Sequence, residues 1–378
     1  MLNEYAVSQR DEFLSLAQQL VSYDTPGQDK IRCDALADLM ATQLAPLGEV
    51  TRVSNPHGGD HLCLRIPAVG SAASQAPVLL LCHYDTVWPV GTAAIRPLRV
   101  TGETAFGAGL YDMKASIALG MLALRGIGEL GFGLPRPVTW LITSDEEIGS
   151  PTSRELIEHE ARSAAHVLVL EPPIEQGSLL KTARKGVGVY NLAVTGRAAH
   201  AGVEPEKGIN ALIELAHQIL AVQALADRGQ GTTVNVGTAR GGSASNVVPA
   251  EATMEIDVRV WSGAEAERLE AGFHALSPVL PGAELLLTGG LNRPPMERTP
   301  ASIALFKRTQ AIGAALGLSL GEGATGGASD GNFTSALGIP TIDGLGAPGQ
   351  GAHALHEQIQ IPGALQRLAL LMGLLTQL

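Results

Sequence analysis

Residues 77–85 read Pro77-Val78-Leu79-Leu80-Leu81-Cys82-His83-Tyr84-Asp85, a short apolar run that stops abruptly in polar residues. A strand covered on both faces has this texture, because neither of its sides meets water. The texture recurs over residues 138–143 and 165–170, and residues 62–66 alternate like a further strand. Helical spacing lies between and around these runs. Phe13, Leu14, Leu16 and Leu20, then Leu36, Leu39, Met40 and Leu44, predict two helices within residues 11–47, with Thr25-Pro26-Gly27 as the loop between them. Residues 113–130 predict another helix. Buried strands alternating with helices imply an α/β layer with a mostly parallel sheet.

Further along, the texture changes. Residues 187–195 and 254–260 alternate apolar with polar, as strands covered on one face do. A helix over 208–225, a strand over 232–238, a helix over 263–276 and a strand over 284–287 complete a small α+β unit, residues 182–293. From Ser302 the α/β texture resumes with a helix, a glycine-rich loop, a strand over 339–343 and a final helix. The small unit is therefore expected as an insertion into a larger domain made of residues 1–181 and 294–378.

Composition agrees with two domains. The chain has 378 residues, 45% of them apolar and 17% charged, enough to fill two cores. A net charge of −11 argues against general attraction to nucleic acid or an acidic membrane surface. The opening Met1-Leu-Asn-Glu-Tyr lacks a basic region followed by an apolar stretch, and no run approaches the ~20 apolar residues of a membrane span. Cys33, Cys63 and Cys82 are too few and too irregular for a disulfide framework, so buried thiols and a cytoplasmic setting are expected.

Polar residues gather where the predicted strands end, the place where open α/β sheets carry their active sites. His83 and Asp85 follow one strand, Asp145-Glu146-Glu147 a second, and Glu171 a third; Asp112 precedes a helix and His353 lies in a late loop. Each has a plain structural explanation when taken singly. Asp112 alone is a helix cap and Glu146-Glu147 a solvated turn or the acidic start of a helix. Together they form a set of imidazoles and carboxylates suited to Zn²⁺. A carboxylate between two ions, another left free as a general base, and an acid behind a ligating histidine are what hydrolysis by a pair of metal ions uses.

These residues resemble the zinc-dependent exopeptidase and aminoacylase superfamily, most closely its glutamate carboxypeptidase branch. The matching stretches are Leu81-Cys-His-Tyr-Asp-Thr-Val, Gly109-Leu-Tyr-Asp-Met-Lys, Thr143-Ser-Asp-Glu-Glu-Ile-Gly-Ser, Glu171-Pro, Gly196-Arg-Ala-Ala-His-Ala-Gly and Gly326-Gly-Ala-Ser-Asp-Gly, in an order running nearly the whole length. The resemblance implies a zinc-exopeptidase-like α/β catalytic domain with a mixed, largely parallel sheet. It implies too an inserted ferredoxin-like α+β lid and dimerisation domain. His83, Asp112 and Glu171 would hold one Zn²⁺, and Asp112, Glu147 and His353 a second, Asp112 bridging them. Cobalt or manganese are alternative ions for such ligands. Glu146 would be the general base and later the proton donor, Asp85 would orient His83, and His200 of the lid would stabilise the oxyanion, from the partner subunit of a homodimer. Arg259 and Asn246 would hold a substrate carboxylate, with Gly327 and Ser329 lining the same pocket; an ion pair within the fold is the other reading of Arg259. Ala115 stands where the family usually has glycine. His356 stands where the family often has Asp or Asn, which leaves His353 and His356 as alternative ligands, the spacing to the following acid favouring His353. Lys181, Arg184 and Lys185 form a basic cluster at the domain junction, read either as an attractor of acidic substrate or as a solvated hinge.

The activity so implied is hydrolysis of an amide beside a free carboxylate, releasing a C-terminal amino acid from an N-acyl, folate-like or peptide substrate. Deacylation of N-acyl amino acids and dipeptide hydrolysis are alternatives on the same machinery. A non-catalytic metal-dependent binding protein is a distant third, opposed by the presence of Glu146.

Overall fold

The computed structural model describes residues 1–68 and 70–378, and the chain divides into two compact units. One consists of Met1–Ala183, Arg298–Thr325 and Ser329–Leu378; the other of Arg184–Glu297 with Gly326–Ala328.

The first unit is built on a six-stranded mixed sheet in the order Glu49–Val53, His61–Ile66, Val138–Thr143, Val78–His83, His166–Val169, Thr341–Ile342. The last three pairings are parallel and the first two antiparallel. All residues of Val78–His83 and Val138–Thr143 are buried, as the apolar runs require. Alternation inside those runs still sorts the side chains. Leu80, Cys82, Trp140 and Ile142 join the core beneath the helices Ala115–Glu129 and Ile361–Gln377, while Leu79, Leu81 and Leu141 meet Ile157, Ala161 and Phe333 on the opposite face. Close approach of one helix to the sheet depends on Gly120, where an added Cβ would stand 2.5 Å from the Trp140 ring. The three cysteines are buried free thiols. No described helix is long and apolar enough to cross a membrane.

The second unit is a four-stranded antiparallel sheet in the order Thr233–Gly241, Glu251–Val260, Gly186–Thr195, Glu284–Arg293. Two helices, Ala211–Gln223 and Gly263–His274, cover one face, giving the ferredoxin-like succession of strand, helix, two strands, helix, strand. Asn210 and Ser262 cap those helices by accepting backbone N–H bonds. Burial alternates strictly along Glu251–Val260, with Ala252, Met254, Ile256, Val258 and Val260 inward. Where the chain enters and leaves this unit, Arg184 and Met296 exchange two backbone hydrogen bonds of 3.0 Å.

Several elements differ from expectation. Leu2–Ser8 is a helix, and Glu49–Val53 is a strand whose side chains are half-buried or exposed, so it carries no apolar signal. The expected helix over 113–130 begins at Ala115, because Asp112 (φ −119°, ψ 93°) and Met113 have non-helical backbone and Lys114 is the residue before the first turn. The strand expected over 284–287 continues to Arg293; Thr288-Gly289-Gly290 breaks the apolar alternation while the backbone pairing goes on. An added Cβ at Gly289 would stand 2.2 Å from the Val189 carbonyl, which is why that position is glycine.

Candidate metal centre

His83 is the last residue of its strand and is almost wholly buried. Its Nδ1 lies 3.1 Å from the Asp85 carbonyl and 3.3 Å from the Asp85 carboxylate. A proton held there leaves the Nε2 lone pair free for a cation. Nε2 in turn faces Asp112 Oδ1 at 3.3 Å and Glu171 Oε1 at 3.4 Å. On the other side, His353 Nε2 lies 3.4 Å from Asp112 Oδ2 and 3.1 Å from Glu147 Oε2. The two oxygens of Asp112 thus face two different imidazoles. Of the two candidate histidines it is His353 that reaches these acids; His356 is exposed and packs against Gly351.

Local structure explains the convergence. Parallel strands bring their carboxyl ends to one edge, so His83, the turn Glu146–Ile148 and Glu171 arrive together. Asp85 then accepts the backbone N–H groups of Glu146 at 3.2 Å and Glu147 at 3.0 Å, tying the acidic turn to the histidine strand. Ligand atoms of His83, Asp112 and Glu147 lie within 4.8 Å of one another, as do those of His83, Glu146 and Glu171. Glu146 is therefore beside the ligands, close enough to act on a group bound there.

The electrostatics are those of a cation site. Burial opposes charge on His83, yet Asp112, Asp85 and Glu171 outweigh it and hold the imidazole well above its usual range. Burial likewise works against the Asp112 carboxylate, but His353 and His83 keep its pKa far below normal. Glu147 is pushed up to about 7 by burial, and His353 is raised to about 10 by its bonds to Asp112 and Glu147. Among the described residues none donates a well-formed hydrogen bond to the buried Asp112 Oδ1. A buried carboxylate whose two oxygens face two imidazoles, with two further acids beside them, fits Zn²⁺, which takes nitrogen and carboxylate ligands and in catalytic sites keeps one position open.

The remaining candidates sit elsewhere. His200 and Asn246 lie in the second unit on neighbouring exposed loops, joined by the Ala201 N–H to Asn246 carbonyl bond of 3.0 Å and by the bridge from His200 to Val247. His200 Nδ1 accepts the Gly202 N–H at 3.2 Å, which leaves Nε2–H as an available donor. Arg259 is held by Asp257, two residues away on the same strand face, at 2.9 to 3.2 Å. Val187 pairs with Arg259 on one side and Arg293 on the other, so the buried Arg293, absent from the sequence-based candidates, stands in the same row. Equal register across neighbouring strands is the signal that finds it, and register is invisible before the sheet is known.

Ser329 is fully buried. Its hydroxyl donates to Asp343 Oδ2 at 2.6 Å and its amide to Asn332 Oδ1 at 3.0 Å, so the backbone donor expected to line a substrate pocket is already engaged. The carbonyls of Gly327 and Ala328 accept from Arg184 at 3.2 and 3.0 Å. Lys185 bonds the Gly231 carbonyl and lies over the Trp261 ring, and Lys181 is 3.9 Å from Asp343, so each member of the basic cluster has a structural partner.

Residues 182–278 match the family model described as a peptidase dimerisation domain. Over 363 residues the chain is 31% identical to carboxypeptidase G2 of a Pseudomonas species, covering 94% of this chain and 86% of that one. It is 30% identical to a succinyl-diaminopimelate desuccinylase of Acidovorax ebreus, covering 92% and 93%. Similar solved structures include aminopeptidase PepT from Bacillus cereus (TM-score 0.79, 20% identity, 97% and 98% covered). An M20 family metallo-carboxypeptidase from Sulfolobus solfataricus is also similar (TM-score 0.73, 15% identity, 97% and 98% covered). At those identities the structural likeness speaks for the fold.

Proposed function

The chain belongs to the M20 metallopeptidase family, in the zinc exopeptidase and aminoacylase superfamily, and is a metal-dependent hydrolytic enzyme; from that premise we propose a two-zinc carboxypeptidase that cleaves the amide beside a free carboxylate. The substrate class is an N-acyl, folate-like or peptide compound from which a C-terminal amino acid, foremost glutamate, is released. The observation that carries the two-metal reading is Asp112, whose Oδ1 faces His83 and Oδ2 faces His353. The glutamate reading is supported by the 31% identity to carboxypeptidase G2.

In this reading His83, Asp112 and Glu171 hold one ion, and Asp112, Glu147 and His353 the other. Zinc there would supply polarisation of the scissile carbonyl and a more acidic water. Glu146 takes the proton of the attacking water and delivers it to the leaving amine. Asp85 orients His83 and fixes the Glu146–Glu147 turn through the same carboxylate. His200, donor at Nε2, stabilises charge developing on the carbonyl oxygen, and we assign it to the partner subunit of a homodimer formed through the dimerisation domain. Asn246 and Arg259 hold the substrate carboxylate, Arg259 exchanging Asp257 for it.

Identity of 30% to one desuccinylase favours a second reading, removal of an acyl group from an N-acyl amino acid. A substrate panel separates them: a pteroyl or N-acyl glutamate, N-acetyl and N-succinyl amino acids, and plain dipeptides, each with and without a chelator. Glutamate release from the first group that disappears on chelation and returns with zinc is the expected result. Turnover confined to acetylated or succinylated substrates replaces the carboxypeptidase reading with the second, and turnover confined to dipeptides makes the enzyme a dipeptidase. Turnover indifferent to chelation defeats the metal mechanism.

A further inference from the structure

Glu357 is fully buried, and its carboxylate is surrounded by donors from the segments that carry the metal ligands. Oε1 accepts the backbone N–H of Tyr111 at 2.9 Å and of Asp112 itself at 3.1 Å. Oε2 accepts the Gly109 N–H at 2.8 Å and the Trp88 indole N–H at 2.9 Å. Gly109 has φ 69°, the left-handed backbone that turns successive amides toward one point and makes a nest for an anion. Trp88 follows His83 and Asp85 on the same loop, and Glu357 closes the excursion on which His353 stands, its own N–H bonding the Ala354 carbonyl at 3.0 Å.

That excursion runs between two paired strands, Gly349–Gln350 and Gln358–Gln360, the second of which is also fixed to Thr104–Phe106. At the other end the Gly351 N–H is held by Glu175 Oε1 at 2.8 Å. His353 itself adopts φ 63°, a left-handed conformation uncommon outside glycine, which its surroundings help to hold. The loop therefore needs an anchor, and Glu357 is the anchor whose far side grips the bridging acid.

We infer that Glu357 is the positioning residue of the metal centre: one carboxylate that sets the backbone of Asp112 and the loop of His353 against each other, and so fixes the spacing of the two ligand sets. The inference rests on the two-zinc reading. A carboxylate suits this place, because all four groups bonded to it are donors and both of its oxygens can accept. A glutamine of the same shape would turn an NH₂ group against either the Gly109 and Trp88 donors or the Tyr111 and Asp112 donors.

The test is zinc stoichiometry and affinity by competition with a chromogenic chelator, alongside the melting temperature of the metal-free protein. Wild type is expected to hold two ions per chain; a single ion or none would defeat the two-zinc reading itself and is seen before any variant is made. With two ions in wild type, E357Q is expected to keep the metal-free fold and to bind zinc roughly 10–100-fold more weakly, the usual loss when a partner of a ligand is removed. E357D, still an acceptor on both atoms, is expected to recover part of that affinity. Wild-type affinity in a folded E357Q overturns the inference. If E357Q does not fold, W88F decides, since it removes one donor from Glu357 and touches no ligand: weaker zinc binding at an unchanged metal-free melting temperature supports the role, and unchanged binding overturns it.

Discussion

In the catalytic unit, strands covered on both faces deliver His83, Glu147 and Glu171 to one sheet edge, where each side chain meets another candidate ligand within 3.1 to 3.4 Å. In the inserted unit, a sheet covered on one face carries His200 and Asn246 on exposed loops and Arg259 on an open strand face. The first set is engaged with itself and oriented by Asp85. The second is held in place by backbone bonds and by Asp257, with donor atoms such as His200 Nε2 left over. Parallel packing assembles a site from within, because all strand ends point one way. A half-covered antiparallel sheet presents residues outward instead.

The largest expected effect tests whether the catalytic unit separates ligand from base. Glu146→Gln should lower kcat about 10²–10⁴-fold, the range for losing a general base, while two ions stay bound. Metal analysis together with kinetics decides it, and loss of zinc in step with activity would make Glu146 a ligand. That outcome has a geometric opening, since Glu146 groups with His83 and Glu171.

Next comes the outward set. His200→Ala should reduce kcat roughly 10²–10³-fold, as for other oxyanion donors, and leave zinc content and melting temperature unchanged. A variant with wild-type kcat would show that His200 contributes nothing to the chemistry.

The smallest effect distinguishes the two cores. His166 opens a central strand of the catalytic sheet; burial, then Arg136 and Arg308, push its pKa down to about 4. Above pH 6.5 neither folded nor unfolded chain protonates it, so it costs nothing there. As pH falls from about 6.5 to 4 the unfolded chain binds the proton first, and stability on the order of 2–3 kcal/mol is lost. Its Nε2 has no hydrogen-bond partner among the described residues, so His166→Leu should fold and flatten that loss. Denaturant unfolding at pH 7.5 and 4.5, followed by the fluorescence of the buried Trp140, measures it; equal pH dependence in both proteins would discard the assignment.

The strands that build the catalytic sheet were legible because double burial leaves continuous apolar runs, and the site because parallel strands must end together. Glu49–Val53 left no trace, since an edge strand with exposed side chains needs no apolar residues. Asp112 read singly as a helix cap, whereas the backbone there is extended and its amide serves Glu357. Glu357 served in the sequence only to mark spacing, because its partners are mainly backbone amides, which every residue possesses. The pairing of Arg259 with Asp257 could be anticipated from their i, i+2 placement on one strand face.

Arg184 and Met296, bonded to each other in both directions, make the inserted unit a cassette with adjoining ends. The entropy of closing a chain across so short a gap grows only slowly with the length of the segment between, by about 0.6 kcal/mol for each doubling. Lengthening or shortening such a segment is therefore expected to leave the strand order of the sheet that receives it intact.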